Sequence, residues 1–209
     1  MSETIEEILM DYNDPRIATF FRPTANDEDT FAGLLNGPDA SQTSITVGDY
    51  SFAGTVFREN TGRLDANFMT SFETLFLLAE AATKGYLSAD PKTLYDEGVR
   101  QAFAYWHTEM PVDYLTTGPT AFGNEDKIQQ IITQKWLANI TNGYEGWIEY
   151  RRTGFPELKS VAASLNNNLL PVRMPYPQAE AALNNTNYQN AADRSDNNSI
   201  NAKVWWDQD

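Results

Sequence analysis

The stretch from Gln134 to Leu158, QKWLANITNGYEGWIEYRRTGFPEL, constrains this chain more than any other. It holds two of the five tryptophans, two adjacent arginines, three glycines and a proline. Ile128, Ile131, Ile132, Trp136 and Ile140 recur at helical spacing, so a helix enters it with one apolar face. Asn142-Gly143 predicts a stop, because glycine takes the left-handed C′ position without a Cβ clash. Tyr144, Trp147, Ile148 and Arg151 then share one face of a shorter helix, which Gly154 and Pro156 end. Two aromatic-bearing helices joined at a glycine must pack on each other or on a third element.

The rest of the chain offers that element. Thr4 to Asp11 reads as a short helix, broken at Asn13-Asp14-Pro15-Arg16 because the residue before a proline avoids helix. Thr70-x-x-Glu73 matches a capping box, in which each side chain satisfies a free N–H at a helix start. Phe72, Leu75, Phe76, Ala79 and Ala82 follow on one face, and Gly85 closes the helix. Asp90-Pro91 starts a second helix, with Leu94, Tyr95, Val99, Ala102, Phe103 and Trp106 as its stripe. Gly98 inside that helix costs roughly 1 kcal/mol against alanine, which predicts close approach of a neighbouring helix. Thr70 to Trp106 is therefore an antiparallel hairpin of about one tetratricopeptide-repeat length. Asn124-Glu125-Asp126 caps the helix that carries Trp136. Beyond Leu158, Pro171, Pro175 and Pro177 force an extended run, and Gln178 to Leu183 forms a short helix. Adjacent Trp205 and Trp206 are expected to be sheltered from water. The fold class is mainly α, with long irregular loops and little strand.

The segment Ile17 to Arg63 shows no sustained period, apart from a short strand at Ser44 to Val47. A loop this long in a compact domain is a place to look for function. It supplies Tyr50, Phe52 and Phe57 together with Asp49 and Arg58. A sugar offers an apolar C–H face and a rim of hydroxyls, and such a ligand needs exposed rings beside a few fixed polar groups. These five residues are the sequence's candidates for ligand contact; the alternative is that the rings pin the loop to the body. Trp136, Trp147, Arg151 and Arg152 read as structural, the rings as core and the guanidinium groups as ties to Glu145 and Glu149. His107-Thr108-Glu109 lacks the second histidine of a zinc protease.

Composition narrows the partners. The chain has 209 residues and a net charge of −14, which excludes nucleic acid and anionic membrane, both of which need a basic face. Without cysteine it has neither disulfides nor thiolate metal sites. No apolar run is long enough to span a bilayer.

Four motifs in order, TSFETLFLLAEAATKGY at 70–86, the 134–158 stretch, LPVRMPYPQAEAALNNTNY at 170–188 and the closing VWWD, resemble the C-terminal half of SusD/RagB-type nutrient-binding outer-membrane lipoproteins. The turn at Asp14-Pro15 before a variable loop fits as well. The resemblance implies a helical body with tetratricopeptide-like hairpins. It also implies a role without catalysis or cofactor: capture of an oligosaccharide or similar nutrient at the surface of a Bacteroidetes-type bacterium, delivered to a SusC-like TonB-dependent transporter. Arg173, Trp205 and Trp206 belong to its shared structural motifs. Members carry a signal peptide, a lipidated cysteine and an N-terminal helical half. The chain shows none of these and is expected to be the C-terminal portion of such a protein. On that reading residues 1–209 form one domain: a helix and turn (1–16), an irregular region (17–65), a helical core (66–158) and an extended wrap (159–209). The competing readings are a tetratricopeptide-like interaction scaffold and, further off, a glycoside hydrolase, for which a paired carboxylate set would be required.

Overall fold

Side chains placed just ahead of each long helix fix where it begins. In a computed structural model, which describes residues 1–39, 41, 44–59, 64–159 and 161–207, Thr70 Oγ accepts from Glu73 N and opens α4, Ser71–Thr83. Asp90 accepts from the amides of Lys92 and Thr93 at the head of α5, Pro91–Tyr105. Asp126 does the same for α6, Lys127–Ala138, through Gln129 N. Each cap satisfies amides that the helix itself leaves free. Shorter helices precede them: α1 (Glu3–Asp11), α2 (Arg16–Phe20) and α3 (Thr55–Arg58). Then come α7 (Gly143–Thr153), α8 (Gln178–Leu183) and α9 (Asn185–Ala192). The fold is mainly α, with no strand among the described residues beyond isolated bridges, Ser2 to Leu34 and Phe21 to Ala53.

Two of the local expectations are corrected. Asn142-Gly143 does not stop α6; α6 ends at Asn139, and Asn142 is instead the N-cap of α7, accepting from Glu145 N. Ser44 to Val47 is not a strand: that segment is irregular and leads into a single 3-10 turn at Val47–Asp49. Positions 40, 42, 43 and 60–63 of the irregular stretch lie outside the described residues.

The chain divides into two compact units, Met1–Lys159 and Ser160–Asp209. In the first, α4 and α5 form the most extensive helix pair. A Cβ on Gly98 would come within 2.9 Å of the Phe76 ring, so the glycine's cost is offset by close approach. One apolar cluster gathers Phe72, Phe76, Tyr95, Val99, Phe103 and Ile131 between α4, α5 and α6. A second gathers Leu9, Ile17, Phe20, Val56, Trp106 and Leu137 around α1, α2 and α3.

A buried polar network lies alongside these clusters. Arg16 and Asp14 have fully buried side chains 2.6 Å apart. Arg16 also donates to Gln134 Oε1 at 2.8 Å, and Tyr114 donates to Asp14 at 2.6 Å. The guanidinium lies 4.4 Å from the centre of the Phe103 ring. Arg16 Nε and Nη2 and both Asp14 oxygens are engaged, which offsets much of the cost of burying the pair, while Arg16 Nη1 is buried without a hydrogen-bond partner.

A second chain of charges ties three helices together. Lys135 of α6 bridges Glu145 and Glu149 of α7 at 2.5 and 2.7 Å. Arg152 of α7 reaches both Glu149 and Glu80 of α4. Burial opposes ionisation of Glu80, but the hydrogen bonds from Arg152 and Lys84 outweigh it and hold its carboxyl below the usual range. Packing follows the charges: α7 turns Gly146 and Glu149 inward. A Cβ at Gly146 would lie 2.8 Å from the Trp136 ring. The Tyr144 and Ile148 face points outward instead, with those residues 67% and 45% exposed. A helix can bury its polar face when partners wait there for every charge.

The second unit has little core. Among its described residues only Ala192 is buried. Asn166 and Asn201 exchange carboxamide hydrogen bonds at 2.8 and 2.7 Å. Arg173 donates to Ser199 O at 2.9 Å and lies over the Tyr176 ring. Asp196, Asn197 and Asn198 are all left-handed, a conformation that short polar side chains tolerate. Trp205 and Trp206 pack edge to face, yet remain 83% and 63% exposed. The expectation that they avoid water is therefore corrected for this unit.

Candidate functional site

A cleft of about 400 Å³ opens where α4 and α7 begin. Glu73 of α4 and Glu145 of α7 both line it, and farther along the two helices Arg152 of α7 reaches Glu80 of α4. Their first turns therefore reach the same opening. The segment Asp65–Met69 forms one lip and the α6–α7 turn the other. Tyr105 and Trp106, at the end of α5, line it between them.

The walls are preorganised. Trp106 Nε1 donates to Ala138 O at 2.9 Å, which fixes the indole. Tyr105 stands edge-on to both Phe72 and Trp106, with ring centres 5.4 and 5.1 Å apart. Its hydroxyl accepts from Asn67 Nδ2 at 2.7 Å and so holds the lip. Phe68 projects from this lip fully exposed, and Met69 is more than half exposed. An exposed ring beside fixed amides and hydroxyls suits a sugar. Asn139 also lines the cleft, and its Nδ2 is buried without a hydrogen-bond partner. An unmet buried donor costs about 1–3 kcal/mol. Among the described residues the cleft's charged groups are Asp65, Glu73 and Glu145, the last paired with Lys135 at 2.5 Å. Its volume falls within the roughly 300–1,000 Å³ typical of ligand pockets.

A larger, more open groove of about 550 Å³ runs along α1, lined by Met10, Tyr12 and Pro156 among others. Its Glu7 is already paired with Lys159. The Tyr12 ring is largely buried, and its hydroxyl is pushed up to about 12 by that burial. The groove thus offers a ligand less than the cleft does.

The five loop candidates do not converge on either site. Asp49 is exposed and accepts from Asn26 Nδ2 at 2.7 Å. Tyr50 is half-buried, and Phe52 is 44% exposed, its carbonyl bound by Arg22 N. Arg58 is exposed at the end of α3. Phe57 packs on Phe20 and Trp106, with ring centres 6.4 and 6.2 Å away, and so backs the indole that lines the cleft. Trp136 packs against the second apolar cluster. The Arg151 guanidinium lies 4.5 Å from the Trp147 ring centre. Sequence reasoning passed over Asn67, Phe68, Tyr105 and Asn139. One signal was present: Met69 precedes the Thr70 cap, where a hydrophobic residue normally packs on N4, but N4 here is the polar Thr74. The segment before α4 therefore has no staple to pull its apolar side chains inward.

The family description "Starch-binding associating with outer membrane" matches residues 1–177. The chain belongs to the SusD-like family. No curated protein matches it. A SusD homologue from Bacteroides vulgatus superposes with a TM-score of 0.81 at 27% identity, over 100% of this chain and 49% of that one. A chitin-binding SusD homologue from Flavobacterium johnsoniae gives 0.80 at 26% identity, over 99% and 49%. One from Bacteroides ovatus gives 0.81 at 26%, over 100% and 52%. This SusD-like chain thus spans about half the length of the solved relatives it resembles. No helix among its described residues is long and apolar enough to cross a membrane.

Proposed function

We propose that this chain captures a glycan at the bacterial outer surface, without catalysis, and takes part in handing it to a TonB-dependent transporter barrel. Family membership over residues 1–177 supports the setting. Two solved relatives are described as chitin-binding, which supports the ligand class. The observation that carries the reading is the cleft itself: the free ring of Phe68 beside the fixed groups of Asn67, Tyr105 and Asn139. Ring stacking supplies apolar contact, and the amides and carboxylates read hydroxyls.

Affinity electrophoresis through gels cast with neutral polysaccharides tests this. At least one polysaccharide should retard the chain, and Phe68→Ala should weaken the retardation about tenfold or more. Unchanged mobility in every gel contradicts capture. Co-purification with an outer-membrane barrel tests the delivery step separately.

A second reading, docking of a protein, draws on the outward faces of α4 and α7. Leu77 and Leu78 of α4 are each 38% exposed, and Tyr144 and Ile148 of α7 are 67% and 45% exposed. A barrel that binds the chain in the absence of any glycan affinity would favour it.

A further inference from the structure

We propose that the Tyr105 hydroxyl is a positioning group for the cleft: by holding Asn67 it fixes the lip at residues 65–69 and so presents the Phe68 ring to a ligand. The proposal rests on the capture reading above and adds how that site is kept ready.

Phe68 cannot hold itself in place. Its side chain is fully exposed, so no neighbouring surface packs against the ring, and its position follows from the main chain beneath it. That main chain lies outside helix and strand from residue 64 to residue 70. It is anchored at both ends: Leu64 packs against the second apolar cluster, and Thr70 caps α4. Between these anchors Met69 is itself more than half exposed.

Asn67 supplies the tie. A carboxamide nitrogen carries two hydrogens, and both are used. One goes to Asp65 O at 3.2 Å and closes the lip on itself; the other goes to the Tyr105 hydroxyl oxygen at 2.7 Å. Among the described residues, the second is the hydrogen bond that carries residues 65–69 to another element. Its acceptor is rigid. Tyr105 ends α5, and its ring stands edge-on to Phe72 at 5.4 Å and to Trp106 at 5.1 Å. Trp106 is in turn fixed to Ala138 O at 2.9 Å. One hydroxyl therefore refers the lip to the place where α4, α5 and α6 meet. The net effect of such a bond corresponds to about two- to tenfold in an equilibrium. Without it a ligand must order the lip before the ring can stack, and binding weakens accordingly.

The chain has no cysteine, so Ala66→Cys gives a single thiol on the exposed lip for a nitroxide label. With no ligand present, the labelled chain should give the broad spectrum of a held segment. Tyr105→Phe removes only the hydroxyl and should add a narrow, fast component; Asn67→Ala should do the same. In unlabelled protein, Tyr105→Phe should weaken retardation by the best-retarding polysaccharide about two- to tenfold, with the thermal unfolding midpoint unchanged. In a Phe68→Ala background the same substitution should cause no further loss, because the hydroxyl acts through that ring. A label spectrum unchanged by Tyr105→Phe overturns the proposal and leaves glycan capture standing. A loss of affinity that persists in full without Phe68 also overturns it, since Tyr105 would then act on the ligand directly. No retardation of the unsubstituted chain in any gel overturns the capture reading instead, and the ligand-free spectra still decide whether the hydroxyl holds the lip.

Discussion

The unit Met1–Lys159 and the unit Ser160–Asp209 are stabilised by different means. The first buries two apolar clusters and an ion pair with no exposed side-chain surface. The second buries one alanine among its described residues and relies on asparagine and arginine hydrogen bonds. A net hydrogen bond contributes about 0.5–1.5 kcal/mol, whereas a fully buried large apolar side chain contributes roughly 1.5–3. Side chains in the first unit should therefore be costly to remove, and those in the second cheap. The contrast shows where a functional site is best built: the cleft sits on helices whose positions the first unit over-determines.

The largest effect should come from Asp14→Ala. It strands the Arg16 cation in the interior and should destabilise the first unit by about 3–5 kcal/mol in urea unfolding. A loss below about 1 kcal/mol would mean that the interior charge is solvated and that the contrast is overstated. Gly146→Val drives a branched side chain into the Trp136 ring and should cost about 1–3 kcal/mol by the same measurement.

Glu80 sharpens the comparison through pH. Its carboxyl is held below the ordinary range, burial being outweighed by Arg152 and Lys84. A depressed carboxylate contributes stability that is fully present above its unfolded value, about 4.3, and is lost as pH falls through the folded value. Thermal unfolding of the parent should therefore weaken steeply below about pH 4, and Glu80→Gln should flatten that slope. Identical slopes would show that the pair is screened by solvent.

The second unit should respond least. Asn201→Ala removes the reciprocal carboxamide pair with Asn166 and should cost about 0.5–1.5 kcal/mol. Trp205→Ala should change stability by less than about 0.5 kcal/mol, because the ring is exposed. A large loss at Trp205 would mean that the indole is covered in solution.

How far the sequence could be read depends on the range of each interaction. Thr70, Asp90 and Asp126 cap their own helices within three residues, so the helix starts were legible. The stop at Asn142-Gly143 was misread because an asparagine–glycine pair serves either end of a helix, and the cap to Glu145 N decides which. The inward face of α7 was not legible either. Apolar periodicity pointed to Tyr144 and Ile148, but Lys135, on another helix, draws Glu149 inward, and Arg152 reaches across to Glu80 while staying partly exposed. Arg16 is a stronger case: its burial depends on Gln134, 118 residues away. The cleft combines both kinds of information. The missing staple at Thr74 is local, whereas the meeting of Asn67, Tyr105 and Asn139 is a product of the packed hairpin.

A crystal structure of the chain with a bound oligosaccharide that retards it in the gels tests the central claim most directly. The account predicts a sugar ring against Phe68, with its hydroxyls beside Asn67 and Tyr105. A sugar ordered instead beside Tyr50 and Phe52, or in the groove along α1, with none between the first turns of α4 and α7, would contradict it.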